Sequence, residues 1–562
     1  MELSDKKGIQ HIVCSLAAQG IQRFVICPGS RNAPLTLSFN RHPQFVLYSI
    51  RDERSAAFFA MGMAQQLNEP VGLVCTSGSA ALNFAPAIAE AYYQRIPLII
   101  LTADRPKTWT DQGEGQTINQ TNVFKNFVRK AYELNGEAQL KDELWYIDRC
   151  ISEGLNLAKY INKGPVHFNI PVAEPLYGIT NIERVEVNSF LIEPIENHLP
   201  TTTLQKLSTT FSQAKRILIL VGQQRSNSAL EAILQELSEL ENVIILCEST
   251  SNIQSKNFIL NIDRAITNLP EEKAEILKPD LLITLGSAII SKRIKTFLRK
   301  HRPQLHWNIH PFDATMDTYQ SLTNSISMEP LSFFQQLKPH VLSPASDYSK
   351  QWHQIAEKKL SYHNQFISQS SFSDFSVFAA IYQALPANYH VYIANSSPIR
   401  YAQLFDNRKI VETFSNRGTS GIDGCTSTVI GAAVAMPQKN FLLITGDVAF
   451  MYDVNALWQE YPVDNVKIIL LNNGGGGIFR IIDGPEKEQE LTQFFETQTN
   501  TNVEHLALQY RWQYLSLRQS SSTKLILDRF FEIETKRTIL EIFTDAEMNP
   551  MVLNDYWQFL NK

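Results

Sequence analysis

The residues best suited to chemistry stand near the C-terminal end of the chain, in "LLITGDVAFMYDVNALW" (442–458) and "IILLNNGGGGIF" (468–479). Each segment is a short apolar run that stops abruptly, the first at Gly446 and Asp447, the second at Asn472, Asn473 and a run of glycines. The spacing from Asp447 to Asn472 holds one helix and the next strand, so a single βαβ crossover puts both at neighbouring strand ends. A carboxylate, an amide oxygen and a backbone carbonyl exposed in the glycine run are hard oxygen ligands of the kind magnesium takes. Water and a phosphate ester complete such a set. Gly474 to Gly477 allow close backbone approach to that phosphate, and a helix starting near Asp453 would turn its N-terminus toward the anion. Either segment alone is ordinary turn and loop punctuation, and only the pair narrows the chemistry.

Glu53 is the second candidate. It lies in "LYSIRDERSAAFFA" (47–60), where four consecutive charged residues separate a strand from an apolar helix. Local sequence leaves two roles open: an acidic helix N-terminus, or a carboxyl that moves protons. Basic residues gather at other strand ends, in "PGSR" (28–31), "ADRP" (103–106), "SKR" (291–293), "SSPIR" (396–400) and "SNRG" (415–418). An isolated arginine in such a place is first of all a surface ion pair.

The elements that must position these residues read as three α/β blocks. Strands end in polar residues at "FVICPG" (24–29), "VGLVCTSGS" (71–79) and "PLIILTADRP" (97–106), with a helix over "SAAFFAMGMAQQL" (55–67). The pattern restarts at "RILILVGQQ" (216–224), "NVIILCEST" (242–250) and "PDLLITLGS" (279–287), and again at "HVYIANSS" (390–397), "FLLITGD" (441–447) and "VKIILLNNGG" (466–475). Continuous apolar strands separated by helices imply parallel sheets covered on both faces. Polar stretches at 192–203 and 342–351 read as linkers. The expected domains are 1–185, 205–340 and 360–562, with the first and third as candidates for a shared topology. In open α/β sheets ligands bind beyond the carboxyl ends of the strands, where all the candidate residues lie.

Composition agrees with such an assembly. At 562 residues the chain exceeds what one core supports, and with 44% hydrophobic residues, 19% charged residues and a net charge of −5 it has no basic excess for nucleic acid or an anionic membrane. The apolar stretches are too short to span a bilayer and the start carries no signal-type segment, so the cytoplasm is expected. The cysteines (Cys14, Cys27, Cys75, Cys150, Cys247 and Cys425) form no metal or disulfide pattern.

The Gly-Asp and Asn-Asn pairing matches the signature of thiamine-diphosphate enzymes, and the chain resembles the thiamine-diphosphate-dependent decarboxylase superfamily over nearly its whole length. Within it, the closest resemblance is to the branch working in menaquinone biosynthesis. The segments that carry it are "CPGSRNAPL" (27–35), "RDERSAAFFAMG" (51–62), "LTADRP" (101–106), "GSAIISKR" (286–293), "SNRGTSGIDG" (415–424), "GDVAFMYDVNAL" (446–457) and "NNGGGGIF" (472–479). The resemblance implies thiamine diphosphate and magnesium, with manganese as a substitute. It implies decarboxylation of 2-oxoglutarate and conjugate addition of the remaining four-carbon unit to isochorismate.

Position by position, the resemblance makes Glu53 the partner of the aminopyrimidine ring and Asp447, Asn473 and the Gly475 carbonyl the metal ligands. Ser396, Gly421, Ile422 and Gly446 join the cofactor site, with Ile422 as the apolar wedge. Ser30, Arg31, Arg105, Lys292 and Arg293 fall on the acceptor side, Arg400 and Arg417 on the oxo-acid side, and Gln116 near the reacting atoms. Substrates carrying several carboxylates ask for several fixed cations. The resemblance also implies a homodimer or a dimer of dimers, each site drawing Glu53 from one chain and Asp447 from its partner. Val448 after the Gly-Asp pair and Gly115 before Gln116 depart from the wider pattern. Rival readings are a related enzyme acting on pyruvate, as in acetohydroxyacid synthesis, and a non-catalytic cofactor-binding subunit on the same scaffold.

Overall fold

In the computed structural model, which describes residues 1–193, 195–482, 484–533 and 537–562, strand after strand forms where an apolar run is bounded by polar residues. In the first part of the chain these strands are β1 (Glu2–Ser4), β2 (Arg23–Ile26), β3 (Val46–Ser49), β4 (Val71–Cys75), β5 (Leu98–Asp104), β6 (Ala131–Glu133), β7 (Val166–Pro171) and β8 (Ile179–Asn181). Six of them make a parallel sheet in the order β3-β2-β4-β5-β7-β6, while β1 and β8 pair antiparallel, an addition the sequence did not announce. β4 and β5 are buried along their whole length, as strands covered on both faces must be.

A second sheet contains β9 (Ile217–Val221), β10 (Val243–Cys247), β11 (Leu281–Leu285), β12 (Leu305–Ile309) and β13 (Asn324–Ile326) in the order β10-β9-β11-β12-β13. A third contains β14 (Tyr389–Ile393), β15 (Glu412–Phe414), β16 (Asn440–Gly446), β17 (Val466–Asn472), β18 (Gln513–Leu517) and β19 (Thr538–Phe543) in the order β15-β14-β16-β17-β19-β18. The first and third six-stranded sheets thus share one strand order. In each, the chain turns back between the strands that occupy the second and third places. That reversal opens the crevice where α/β proteins seat ligands, and in the third sheet it lies between the ends of β14 and β16.

The chain resolves into two compact units. One comprises Met1–Pro194, Asn416–Lys439 and Ala449–Val466, and the other Ile195–Ser415, Asn440–Val448 and Lys467–Lys562. Within the first, the helix Glu53–Leu67 packs along the helix Cys425–Ala435. Gly62 faces the carbonyl of Thr428 and Gly431 that of Phe59, so a methyl group at either position would collide with backbone.

Local detail refines the expectations. The first polar stretch is irregular over 195–200 and enters a helix at Thr201–Gln213, and the second is irregular over 342–347 before the helix Tyr348–Gln369. Only a single 3-10 turn, Val454–Leu457, follows Asp453, while the longer helical turn after β16 runs from Asp447 to Tyr452; Asp453 is buried, accepting from the Ser427 amide at 2.6 Å and its hydroxyl at 2.7 Å, so its carboxylate holds the protein's own backbone.

Candidate active site

In the second unit, Asp447 follows β16 directly and is 5% exposed. Its Oδ1 accepts from the Val448 amide at 2.7 Å and its Oδ2 from the Gly475 amide at 2.8 Å, which ties the end of β16 to the glycine run after β17. Burial pushes the Asp447 carboxyl up to about 6, against these backbone donors that pull it down. Among the described residues no lysine, arginine or histidine pairs with it. A buried carboxylate without a cation is costly, so the position fits a bound metal ion.

The glycine run sharpens the fit. Gly474 and Gly475 have φ of +79° and +146°, and a Cβ on Gly475 would lie 2.8 Å from the Glu496 carbonyl oxygen. A Cβ on Gly446 would meet nothing within 4 Å, so open space lies over the end of β16. The two asparagines divide. Asn472 is spent on structure, donating to the Thr501 carbonyl and to Glu541 and accepting from the Gly474 amide. Asn473 donates its Nδ2 to Asp374 Oδ2 at 3.1 Å, and its oxygen has no hydrogen-bond partner among the described residues. The Gly475 carbonyl accepts once, from the Gly477 amide at 2.9 Å, and keeps a second lone pair. Ser396, just past β14 with φ +75°, stands on the other side of the same strand-order reversal. These groups suit a divalent cation and the diphosphate it would bridge.

The same unit holds a cavity of about 760 Å³ whose wall includes Lys292, Arg293 and Arg400 together with Asp263 and Trp557. Lys292 and Arg293 open the helix Lys292–Lys300, whose cap is Ser291, its Oγ accepting from the Ile294 amide at 3.0 Å. Glu248, just past β10, accepts from the amides of Ile290 and Ser291, each at 2.6 Å, and so fixes the turn that delivers the two cations. Burial raises its carboxyl to about 7 against those donors. Arg293 lies 4.1 Å from the Trp557 ring centre, a cation–π contact that orients its guanidinium. Burial lowers the Arg400 pKa, opposed by Asp263.

In the first unit, Asp52 caps the helix that begins at Glu53, accepting from the Ser55 amide at 2.9 Å. Capping therefore accounts for Asp52 and leaves Glu53, whose carboxyl burial pushes up, free of that duty. Arg31 is buried, its guanidinium donating to the Val172 carbonyl at 3.0 Å and to Glu174 at 3.2 Å, with exposed Ser30 beside it. Arg105 extends from β5, its amide bonded to Asp104 at 2.8 Å and its guanidinium 3.4 Å from Glu114. Gln116 is exposed with φ +55°, and its backbone passes close over Gly78 in the loop after β4. Arg417, Gly421 and Ile422 are half-buried in the segment leading to the helix Cys425–Ala435. Glu90 holds that segment from the middle of the helix Ala85–Gln94, accepting from the Gly418 amide, the Thr419 amide and the Thr419 hydroxyl at 2.6 Å each.

The structure thus brings Asp447, Gly475 and Gly446 into one cluster and Lys292, Arg293 and Arg400 into one cavity, with Arg31 and Arg105 both beside Asp104. Glu90, Glu248 and Asp374 escaped the sequence reading. Glu90 had a signal, an acid in the otherwise uncharged "APAIAEAYYQ", and Glu248 stands in the polar end of "NVIILCEST". Asp374 in "SFSDFSVF" looks like a helix cap and nothing more.

Comparison with known proteins bears on the same segments. Residues 6–123 match the family model of the N-terminal TPP binding domain of thiamine pyrophosphate enzymes, residues 194–393 that of the middle domain, and residues 396–542 that of the C-terminal TPP binding domain. The chain is 43% identical to a protein of Flavobacterium psychrophilum and 42% to one of Flavobacterium johnsoniae, in each case over 98% of both chains. It is 38% identical to one of Porphyromonas gingivalis, over 100% of this chain and 98% of the other. All three bear the name 2-succinyl-5-enolpyruvyl-6-hydroxy-3-cyclohexene-1-carboxylate synthase. With the metal-type cluster at Asp447 and the glycine cradle after β17, these matches place the chain in the thiamine pyrophosphate enzyme family, among the 2-succinyl-5-enolpyruvyl-6-hydroxy-3-cyclohexene-1-carboxylate synthases.

Proposed function

We propose that this chain decarboxylates 2-oxoglutarate and joins the remaining four-carbon unit to isochorismate by conjugate addition, a step of menaquinone biosynthesis. The observation that carries the reading is the cavity in which Lys292, Arg293 and Arg400 bring three cations together. Pyruvate has one carboxylate and no use for such a wall, whereas 2-oxoglutarate and isochorismate carry two each. The names borne by the relatives favour the same reading over acetohydroxyacid synthesis.

Asp447, Asn473 and the Gly475 carbonyl hold magnesium or manganese, and Gly446, Ser396, Gly421 and Ile422 shape the rest of the cofactor site. Thiamine diphosphate bound there supplies the electron sink that lets a 2-oxo acid lose carbon dioxide. Glu53 exchanges a proton with the aminopyrimidine ring, a task for which a carboxyl raised by burial is suited. Arg400 and Arg417 fix the oxo acid by its carboxylates. Ser30, Arg31, Arg105, Lys292 and Arg293 fix the acceptor, and Gln116 lies near the bond being made. Glu90 and Glu248 hold the turns that carry Arg417 and the Lys292–Arg293 pair.

In this reading residues 1–185 serve the pyrimidine end of the cofactor, residues 205–340 form the central domain, and residues 360–562 serve the diphosphate and metal. The active form is a homodimer or a dimer of dimers. The cytoplasm suits six cysteines that are all buried and unpaired. The test is substrate choice: with thiamine diphosphate and magnesium, isochorismate disappears in step with added 2-oxoglutarate and persists with pyruvate. Condensation of pyruvate with a second 2-oxo acid, carbon dioxide being released and isochorismate left unchanged, would return the acetohydroxyacid reading.

A further inference from the structure

The orientation of the Asn473 amide decides whether it offers oxygen or nitrogen to a cation, and a chain of directional hydrogen bonds fixes it. The chain starts at a group that can only donate: the backbone amide of Asp374 gives its hydrogen to Asn549 Oδ1 at 2.8 Å. The Asn549 amide is thereby oriented, and its Nδ2 donates to Thr544 Oγ1 at 3.2 Å. With its oxygen accepting there, the Thr544 hydroxyl donates to Asp374 Oδ1 at 2.6 Å. The other carboxylate oxygen, Oδ2, meets Asn473 Nδ2 at 3.1 Å. An ionised carboxylate accepts only, so the NH₂ of Asn473 faces Asp374 and its oxygen faces away. Asp374 is 1% exposed, at the start of the helix Asp374–Ala384, and the four groups come from four separate places in the third sheet and its helices.

We propose that Asp374 is a positioning residue for the divalent metal: it holds the Asn473 amide in the one orientation that presents Oδ1 as a ligand. The inference rests on the reading of Asp447 and Asn473 as metal ligands. Carboxylates behind metal ligands act in this way elsewhere, and their loss weakens metal binding by about 10- to 100-fold.

A pair of substitutions at 374 and 473 is expected to compensate. In Asp374→Asn, Thr544 still donates to Oδ1, so Nδ2 of the new amide faces the NH₂ of Asn473, two donors in opposition. Relief comes from turning the Asn473 amide over, which swings nitrogen into the place of the ligand oxygen. Adding Asn473→Asp cures this, because the new amide at 374 then donates to a carboxylate at 473, whose second oxygen can bind the cation, and the summed charge is that of the natural protein.

The test is the affinity for manganese(II), followed by electron paramagnetic resonance with thiamine diphosphate present, with Asp447→Ala alongside and circular dichroism to check folding. Asp374→Asn is expected to weaken binding about 10- to 100-fold and the double variant to restore most of it. Wild-type affinity in folded Asp374→Asn, with Asp447→Ala unable to bind, overturns the role of Asp374 alone. Should Asp374→Asn not fold, the double variant decides, since it keeps every hydrogen bond of the chain: folded but unable to bind, it overturns the proposal. Unaltered binding in Asp447→Ala overturns the metal site itself.

Discussion

In the proposed reaction Glu53 supplies a proton equilibrium, which is a property of a carboxyl and not of its shape. Glu53→Gln is therefore expected to retain thiamine diphosphate and magnesium while exchange of the cofactor's C2 proton slows by orders of magnitude. Quenched-exchange NMR measures that rate, and an unchanged rate would remove Glu53 from the chemistry. In the proposed reaction the cations divide by substrate. Arg400→Ala or Arg417→Ala is expected to impair release of carbon dioxide from 2-oxoglutarate even without isochorismate, while Lys292→Ala spares that half-reaction and raises the isochorismate KM. Equal damage to both half-reactions by all three would refute the division. The residues proposed to touch cofactor or substrate could be singled out in the sequence because chemistry restricts their type and strand ends restrict their place. Glu90 and Asp374 were not, because a buried acid that grips backbone or orients an amide is recognisable only once its partner is known to be near.

The strands were legible because a parallel sheet covered on both faces demands unbroken apolar runs, as in β4, β5 and β17. The helices that follow the two linkers were hidden because Thr201–Gln213 and Tyr348–Gln369 bury only a narrow stripe, Leu207 and Phe211 in one and Trp352 and Phe366 in the other, within otherwise polar sequence. Two of the sheets share a device that sequence concealed. Thr102 Oγ1 meets His167 Nε2 at 2.7 Å and donates to Asn169 at 2.9 Å, and Thr284 repeats the pattern with His306 at 2.9 Å and Asn308 at 2.8 Å.

Because Thr102 donates to Asn169, His167 Nε2 carries the hydrogen between them, and His167 Nδ1 is buried with no hydrogen-bond partner among the described residues. A proton there would be unsolvated, and burial lowers the His167 pKa to about 3. In the unfolded chain its pKa returns to about 6.5, so the unfolded state binds the extra proton between these values. The stabilisation is complete above about pH 6.5 and is lost as pH falls below it, by about 2 kcal/mol at pH 5. His167→Gln should flatten the fall of the urea midpoint between pH 7 and pH 5. An undiminished fall would show that His167 titrates freely in the fold.

At the scale of the whole molecule, the shared strand order of the first and third sheets was hinted at by their like alternation of strand and helix, while identity of order needed the structure. If each site takes Glu53 from one chain and Asp447 from its partner, mixing inactive Glu53→Gln and Asp447→Ala proteins under subunit exchange gives hybrids with one intact site. Activity then returns to about a quarter of wild type. Hybrids seen by native mass spectrometry that stay inactive would refute the shared site. The central claim is the reaction itself, and mass spectrometry of the product formed from uniformly heavy-carbon 2-oxoglutarate and unlabelled isochorismate tests it most directly. The account predicts one product containing the intact isochorismate skeleton plus four labelled carbons, with the fifth released as labelled carbon dioxide. Labelled carbon dioxide with isochorismate recovered unchanged, or a product without label, would contradict it.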